Sequence, residues 1–300
     1  MFDVFNVKFF HRSKLDDILN SYLDLVEIQV PKTSLSSSTY HGVRATFCKL
    51  DWSLQQRNPS TVPMFRDLVG QSRMCKSTSV TVDLWEIVQR AHALEIDEDI
   101  PTSSKVGRSI PPTGVVFHET RCGSTLTANL LASLSPSQTR VYSESGPPLK
   151  ALGACTSSPS SCNVQTHSKL IQDVFYMMGR LKEPEKSQQY VFYKIQSIGV
   201  HHIHAFTTAM PNTPWIFLYR DSVEVMQSHL SKGQLARKWK LGQAPVCGRF
   251  YGNSYQPTIT KKVVQSKGRQ VSDLTQAEYC ASHLVSLLVK RFTYYTVHYC

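Results

Sequence analysis

The segment from Val115 to Leu134 holds the residue types best suited to chemistry: an apolar, strand-like run, then Arg121, Cys122, Gly123, Ser124 and Thr125, then an amphipathic, helix-like run. A glycine at such a junction lets the backbone come close to an anion. The N–H groups of Gly123, Ser124 and Thr125 then point from a helix N-terminus, where unpaired donors and the helix dipole favour negative charge. The common nucleotide-binding loop reads G-x-x-x-x-G-K-[ST], and here no Lys stands between Gly123 and Ser124. Arg121, two residues before the glycine, supplies a cation instead. Gly-Ser-Thr also serves as an ordinary helix cap, so this segment does not decide the matter alone.

A second segment, Pro214 to Leu230, repeats the pattern of strand and helix with Arg220 at the junction. In open α/β sheets ligands bind outside the carboxyl ends of the strands, which is where Arg220 is expected. Ser228 follows eight positions later, about two turns into the helix. The two could reach one phosphate from different sides, the Arg through a forked, charge-assisted pair. The plainer reading is a surface pair of Arg220 with Asp221 beside a helical serine.

Together the segments resemble the sulfotransferase family, which uses 3′-phosphoadenosine 5′-phosphosulfate as sulfuryl donor. Arg121 to Thr125 is similar to the family's 5′-phosphosulfate loop, and Tyr219 to Ser228 to its 3′-phosphate motif; the match covers about residues 113–235. The resemblance implies that Arg121, Cys122, Gly123, Ser124 and Thr125 hold the 5′-phosphosulfate, while Arg220 and Ser228 hold the 3′-phosphate. It implies an adenine nucleotide donor as co-substrate, no metal, and a P-loop NTPase-like three-layer α/β sandwich with a central parallel sheet. Two positions depart from the family: Ser222 stands where a proline is common after Arg-Asp, and Cys122 where Ser is usual. Neither removes a charge.

Sulfuryl transfer needs a base for the acceptor proton. Glu144 follows the second expected strand and should open on the same sheet edge as the loop. In some branches of the family a Glu at the corresponding place is the base, which the resemblance carries to Glu144; a loop carboxylate paired with a basic neighbour is the alternative. His118, ending the first strand, is the second candidate, although Glu119 beside it points to a structural pair. Lys194, at another strand end, could touch the transferred group or be a solvated strand end. Cys122, at a helix N-terminus beside Arg121, is expected to have a lowered pKa, without an assignable His partner for nucleophilic catalysis. His201, His202 and His204 have metal-like spacing but no acidic or thiol ligand near them, and read as a polar helix start.

Composition fits an anionic ligand: 33 Lys and Arg against 22 Asp and Glu give a formal charge of +11 over 300 residues. Nucleic acid or an anionic polysaccharide would suit that charge too, but the resemblance directs the expectation to a nucleotide donor and an unknown acceptor (small molecule, carbohydrate or protein), with no nucleic-acid partner. No run of 18 apolar residues is present, so no membrane span is expected. The absence of a leader-like start and of an Asn-x-Ser/Thr acceptor favours the cytoplasm. The eight cysteines include Cys155 and Cys162, which could close a small disulfide in an oxidising compartment or remain thiols. A nucleotide kinase on the same fold would need the missing loop Lys and a metal-binding acid, and a nucleotide or polyanion binder without a base is the non-catalytic alternative.

The elements that must position these residues fall into two units. Residues 1–105 read as a small α+β unit: a capping box at Ser13–Asp16, a helix through Leu15, Ile18, Leu19 and Tyr22, alternation at Val26, Ile28 and Val30, a Ser-rich loop at 34–38, a possible strand at Val43, Ala45 and Phe47, and a helix through Leu84, Ile87, Val88 and Ala91. No catalytic constellation is read there. Glu95 to Pro112 reads as a linker. Residues 106–300 read as the sulfotransferase-like domain, with strands at 115–118, 141–143, 190–195 and 215–219 alternating with helices at 124–134, 168–181, 203–209 and 223–235. Gly153–Ser168 is expected as a mobile loop, and Arg237–Arg269, basic with Trp239, Phe250, Tyr251 and Tyr255, as acceptor-site lining or, alternatively, a single-strand nucleic-acid surface. Thr275 to Glu278 would cap a last helix to about Lys290. No family motif follows it, so the domain is expected to end short of a complete one.

Overall fold

The computed structural model describes residues 14–31, 35–96, 108–156, 159–182, 189–235, 261, 264–270 and 273–295. The Ser13 capping position, most of the 95–112 linker, and Trp239, Phe250, Tyr251 and Tyr255 lie outside the described residues.

The site is carried by a sheet of four strands, β5 (Gly114–His118), β6 (Thr139–Ser143), β8 (Tyr190–Lys194) and β9 (Trp215–Leu218), all parallel and ordered β6-β8-β5-β9. Helices α6 (Ser124–Leu134), α7 (Gly146–Leu152), α8 (Val164–Gly179), α9 (Ile203–Ala209) and α10 (Ser222–Leu235) follow or separate the strands, and α11 (Gln276–Tyr295) closes the described chain. The chain is therefore α/β with an all-parallel sheet flanked by helices, beside a two-stranded antiparallel pair of β4 (Arg108–Ser109) and β7 (Arg180–Leu181). Its first strand, β5, sits between β8 and β9, so the chain goes to one side of it and then returns to the other. The carboxyl ends beside such a reversal are where a crevice opens.

Alternation along β5 explains its depth. Val115 and Phe117 join the main core, while Val116 and His118 face the other side, and all four are buried. Against that other side α6 packs Ala128 and Ala132 on Val141, with Phe192 beside them. Small residues let this helix approach the sheet closely. Its amphipathic pattern is thus satisfied by alanines, and Leu126, Leu130 and Leu134 stay on the outer face.

Residues 14–96 form a three-stranded antiparallel sheet, β1 (Asp24–Gln29), β2 (Arg44–Cys48) and β3 (Val80–Asp83), with α1 (Lys14–Leu19) and α5 (Leu84–Ile96). Sequence periodicity missed β3 and the short helices α2 (Ser53–Arg57), α3 (Phe65–Gln71) and α4 (Cys75–Thr78), which are too brief to show a repeat. Leu25, Phe47 and Trp52 share one hydrophobic cluster with Tyr142, Phe175 and Tyr193 of the later residues. Trp52 meets Tyr142 edge-on at 5.0 Å between ring centroids, and Tyr142 stacks on Tyr193 at 5.0 Å.

Polar ties cross the same contact. Gln55 Nε2 donates to the Val141 carbonyl at 2.8 Å and its Oε1 accepts from Val141 N–H at 3.0 Å, so an amide side chain completes the outer edge of β6. The buried Asp173 on α8 accepts from the Tyr40 hydroxyl at 2.5 Å and pairs with Lys169. Gln55 fixes α2 against the strand whose end carries Glu144, and Phe65 of α3 meets Tyr142 of that strand at 5.4 Å between ring centroids.

Cys48 and Cys75 form a disulfide between β2 and α4, and Cys155 and Cys162 form a second. The segment expected as a mobile loop at 153–168 instead holds that bridge, a 3₁₀ turn at Pro159–Ser161 and the start of α8. Asn163 starts α8 earlier than hydrophobic periodicity indicated, its side chain accepting from the N–H groups of Gln165 and Thr166. Among the described residues no helix is long and apolar enough to cross a membrane.

Candidate active site

A cavity of about 540 Å³ opens at the carboxyl ends of the four parallel strands. His118, Thr120 and Arg121 reach it from β5; Gly123, Ser124 and Thr125 from the first turn of α6; Glu144 from β6; Gln196 and Ser197 from β8; Arg220 from β9 and Ser228 from α10. Residues 107 positions apart in sequence bond here: Arg121 Nε donates to Ser228 Oγ at 2.9 Å.

The turn into α6 is built for close approach. Gly123 has φ 90°, a left-handed conformation that costs glycine little, and no side chain caps the helix. By contrast Asp221 Oδ1 accepts from the N–H groups of Val223 and Glu224 at 2.9 and 3.1 Å, closing the N-terminus of α10. Of these two helix starts, α6 is the one whose N–H groups no side chain closes, which leaves them to an external anion. Arg121 and Glu144 also have positive φ, 62° and 55°. Non-glycine residues pay on the order of 1 kcal/mol or more for this, a cost that clusters at functional sites.

Cys122 does not line the cavity. Its thiol donates to the Glu119 carbonyl at 3.1 Å, and burial raises its pKa. The lowered pKa expected from the helix N-terminus is therefore corrected: desolvation outweighs the dipole.

Glu119 is buried and its Oε1 accepts from Arg220 N–H at 2.8 Å, tying the ends of β5 and β9 together. Burial still raises its pKa, the Arg220 N–H opposing. The expected side-chain pair of His118 with Glu119 does not form. Instead His118 Nδ1 bonds the Glu119 backbone carbonyl at 2.7 Å. Burial, then the Lys194 ammonium, lowers the His118 pKa to about 4, so the imidazole is neutral at pH 7. A carbonyl partner makes Nδ1 the protonated nitrogen, leaving the Nε2 lone pair 3.8 Å from Glu144 Oε1.

Lys194 is not a solvated strand end. Its side chain is 1% exposed, and Nζ donates to Glu144 Oε1 at 2.7 Å and lies 3.5 Å from Thr125 Oγ1. A second cation beside the loop, in addition to Arg121, thus comes from β8. Nothing in the local sequence of either segment signals this pairing.

Arg220 pairs with Glu224 one turn on rather than with Asp221. That contact is half exposed, so it would compete with an anion arriving at Arg220. An exposed pair is worth about 0.2–1 kcal/mol, so Glu224→Gln should tighten binding of 3′,5′-bisphosphoadenosine by up to about fivefold in calorimetric titration. Weaker binding would show that Glu224 contributes to the site.

Met64 and Arg66, from residues 14–96, also line the cavity. Sequence reading placed no chemistry there, because an arginine and a methionine beside a short helix carry no motif. His201, His202 and His204 lie on a 3₁₀ turn (Ser197–His202) and α9, and are not part of the one cluster of metal-type ligands among the described residues. That cluster joins His167 to Cys155 and Cys162, whose sulfurs are bonded to each other.

No protein-family model, curated protein or solved structure matches this chain.

Proposed function

We propose that the protein is a P-loop-type sulfotransferase, moving a sulfuryl group from 3′-phosphoadenosine 5′-phosphosulfate to an acceptor hydroxyl or amine. The observation that carries this reading is the surroundings of Thr125. A Mg²⁺-dependent phosphoryl transferase places its metal on the loop hydroxyl and a nearby acid. Here the buried Lys194 ammonium takes that place, 3.5 Å from Thr125 Oγ1. The donor set thus suits an anionic group neutralised by side-chain cations and backbone N–H groups rather than by a metal.

In this reading the first turn of α6, with Arg121 and Lys194, holds the 5′-phosphosulfate. Arg220 and Ser228 hold the 3′-phosphate. The acceptor oxygen bonds to sulfur as the bond from sulfur to the bridging phosphate oxygen breaks, leaving 3′,5′-bisphosphoadenosine. Arg121 and Lys194 meet the charge that grows on the bridging and equatorial oxygens, an electrostatic role requiring no rearrangement during the step. Glu144 takes the acceptor proton, and neutral His118 orients the acceptor through its Nε2 lone pair.

The disulfides also bear on location. Cys48–Cys75 and Cys155–Cys162 favour an oxidising compartment over the cytoplasm expected from sequence.

Thermal shifts with 3′,5′-bisphosphoadenosine, ATP with Mg²⁺, and heparin separate the readings. The sulfotransferase reading expects the bisphosphate to stabilise most. A larger shift with ATP and Mg²⁺ would support a kinase, and one with heparin alone a polyanion binder.

A further inference from the structure

One cation in the cavity has no task in donor binding as proposed above. Arg66 is the second residue of α3, and it follows Met64, whose Sδ lies 3.6 Å from Ser143 Oγ and 3.8 Å from Lys194 Nζ. Met64 therefore sits over the ends of β6 and β8, and Arg66 enters the cavity from the β6 edge. Arg121, Arg220 and Ser228 gather at the opposite edge, around β9. Three strand intervals of about 4.8 Å separate β6 from β9, roughly 14 Å. Glu144, at the end of β6, lies on the Arg66 side.

Charge on that side is unbalanced. Glu144 is the one carboxylate lining the cavity among the described residues, and Lys194 holds it at 2.7 Å. Asp67, next to Arg66, uses Oδ2 to accept from Met64 N–H at 3.1 Å and cap α3, and its other oxygen lies only at 4.0 Å from Arg66 Nε. The Arg66 side chain is 71% exposed. Its guanidinium fork is thus open to an anion beside the proposed base, away from the Arg220 and Ser228 pair assigned to the 3′-phosphate.

We infer that Arg66 selects the acceptor, and that the acceptor is a hydroxyl compound carrying an anionic carboxylate or sulfate group. The inference rests on the donor assignment above. A planar, forked cation matches either anion in two-point contact, which an ammonium does less well.

The test uses the full chain saturated with 3′,5′-bisphosphoadenosine and titrated calorimetrically with 4-nitrophenyl β-D-glucuronide or 4-nitrophenyl β-D-glucoside, which differ by one carboxylate. The parent is expected to bind the glucuronide at least about tenfold more tightly. In Arg66→Ala that preference should shrink to within about twofold while the affinity for 3′,5′-bisphosphoadenosine is unchanged, and Arg66→Lys should keep part of it. Equal binding of the two probes by the parent, binding of neither, or a preference that survives in Arg66→Ala overturns the inference. Loss of bisphosphate affinity in Arg66→Ala overturns it too, by making Arg66 a donor residue. A parent that binds no bisphosphate at all refutes the donor assignment itself, a failure visible before any acceptor probe is added.

Discussion

Glu144→Gln is expected to abolish nearly all sulfuryl transfer, by about a hundredfold or more, while leaving affinity for 3′,5′-bisphosphoadenosine almost unchanged. The amide keeps the size of the side chain but cannot take a proton. Assay with radiolabelled donor and pooled acceptors reads the loss without knowledge of the natural acceptor. The substitution also strips the buried Lys194 of its counter-charge. A broken buried pair costs about 3–5 kcal/mol, somewhat less where one partner keeps access to water, so a fall in thermal stability is expected as well. Glu144→Gln combined with Lys194→Met should recover stability, which assigns the stability loss to the broken pair; turnover stays lost, since Lys194 also serves the donor. Undiminished labelling by the single variant removes Glu144 from the mechanism and moves the role to His118.

The pH profile distinguishes the same two residues. Because burial holds the His118 pKa near 4, His118 stays neutral from pH 8 down past pH 5 and contributes no rate change in that window. A limb centred near 6.5 that vanishes in His118→Gln would show an exposed, titrating imidazole and contradict the geometry. The sign for stability follows from the same shift. An unfolded chain binds the proton near pH 6.5 and the folded one only near 4, so the contribution of neutral His118 is present above 6.5 and is lost as pH falls through 4.

Arg121→Ala should produce the second large effect: a moderate loss of donor affinity and a severe loss of turnover, because its partner charge grows in the transition state. Arg121→Lys should be partly tolerated, since a point charge remains within reach of the loop. The structure adds a constraint. Arg121 donates to Ser228, so Ser228→Ala frees the guanidinium and should disturb turnover far less than it disturbs 3′-phosphate recognition. Parental turnover in both Arg121 variants would make Arg121 a bystander and the loop a plain helix start.

What could be read from the sequence was local. The run into Gly123 and the helix after it are legible because an apolar strand, a glycine and a 3.6-residue pattern adjoin one another, and the helix lies at Ser124–Leu134, where that pattern put it. Arg220 and Ser228 are legible for the same reason. What crossed the chain was not. Lys194 reaches Glu144 across 50 residues, and Gln55 completes the β6 edge across 86. Neither contact leaves a periodic trace. Arg66 was silent because α3 is seven residues long, and Cys122 was misread because a helix N-terminus is visible in sequence whereas burial is not.

The central claim, that this cavity is built for a 3′,5′-bisphosphorylated adenine nucleotide, is tested most directly by calorimetric titration of the full chain with 3′,5′-bisphosphoadenosine and with 5′-AMP. The 3′-phosphate is the only difference between them, and Arg220 with Ser228 is the pair assigned to it. A charge-assisted contact to phosphate is worth about 1.5–3 kcal/mol, so the bisphosphate should bind at least tenfold more tightly, and Arg220→Ala should remove most of that preference. Equal affinity for the two nucleotides, or a preference untouched by Arg220→Ala, would contradict the account.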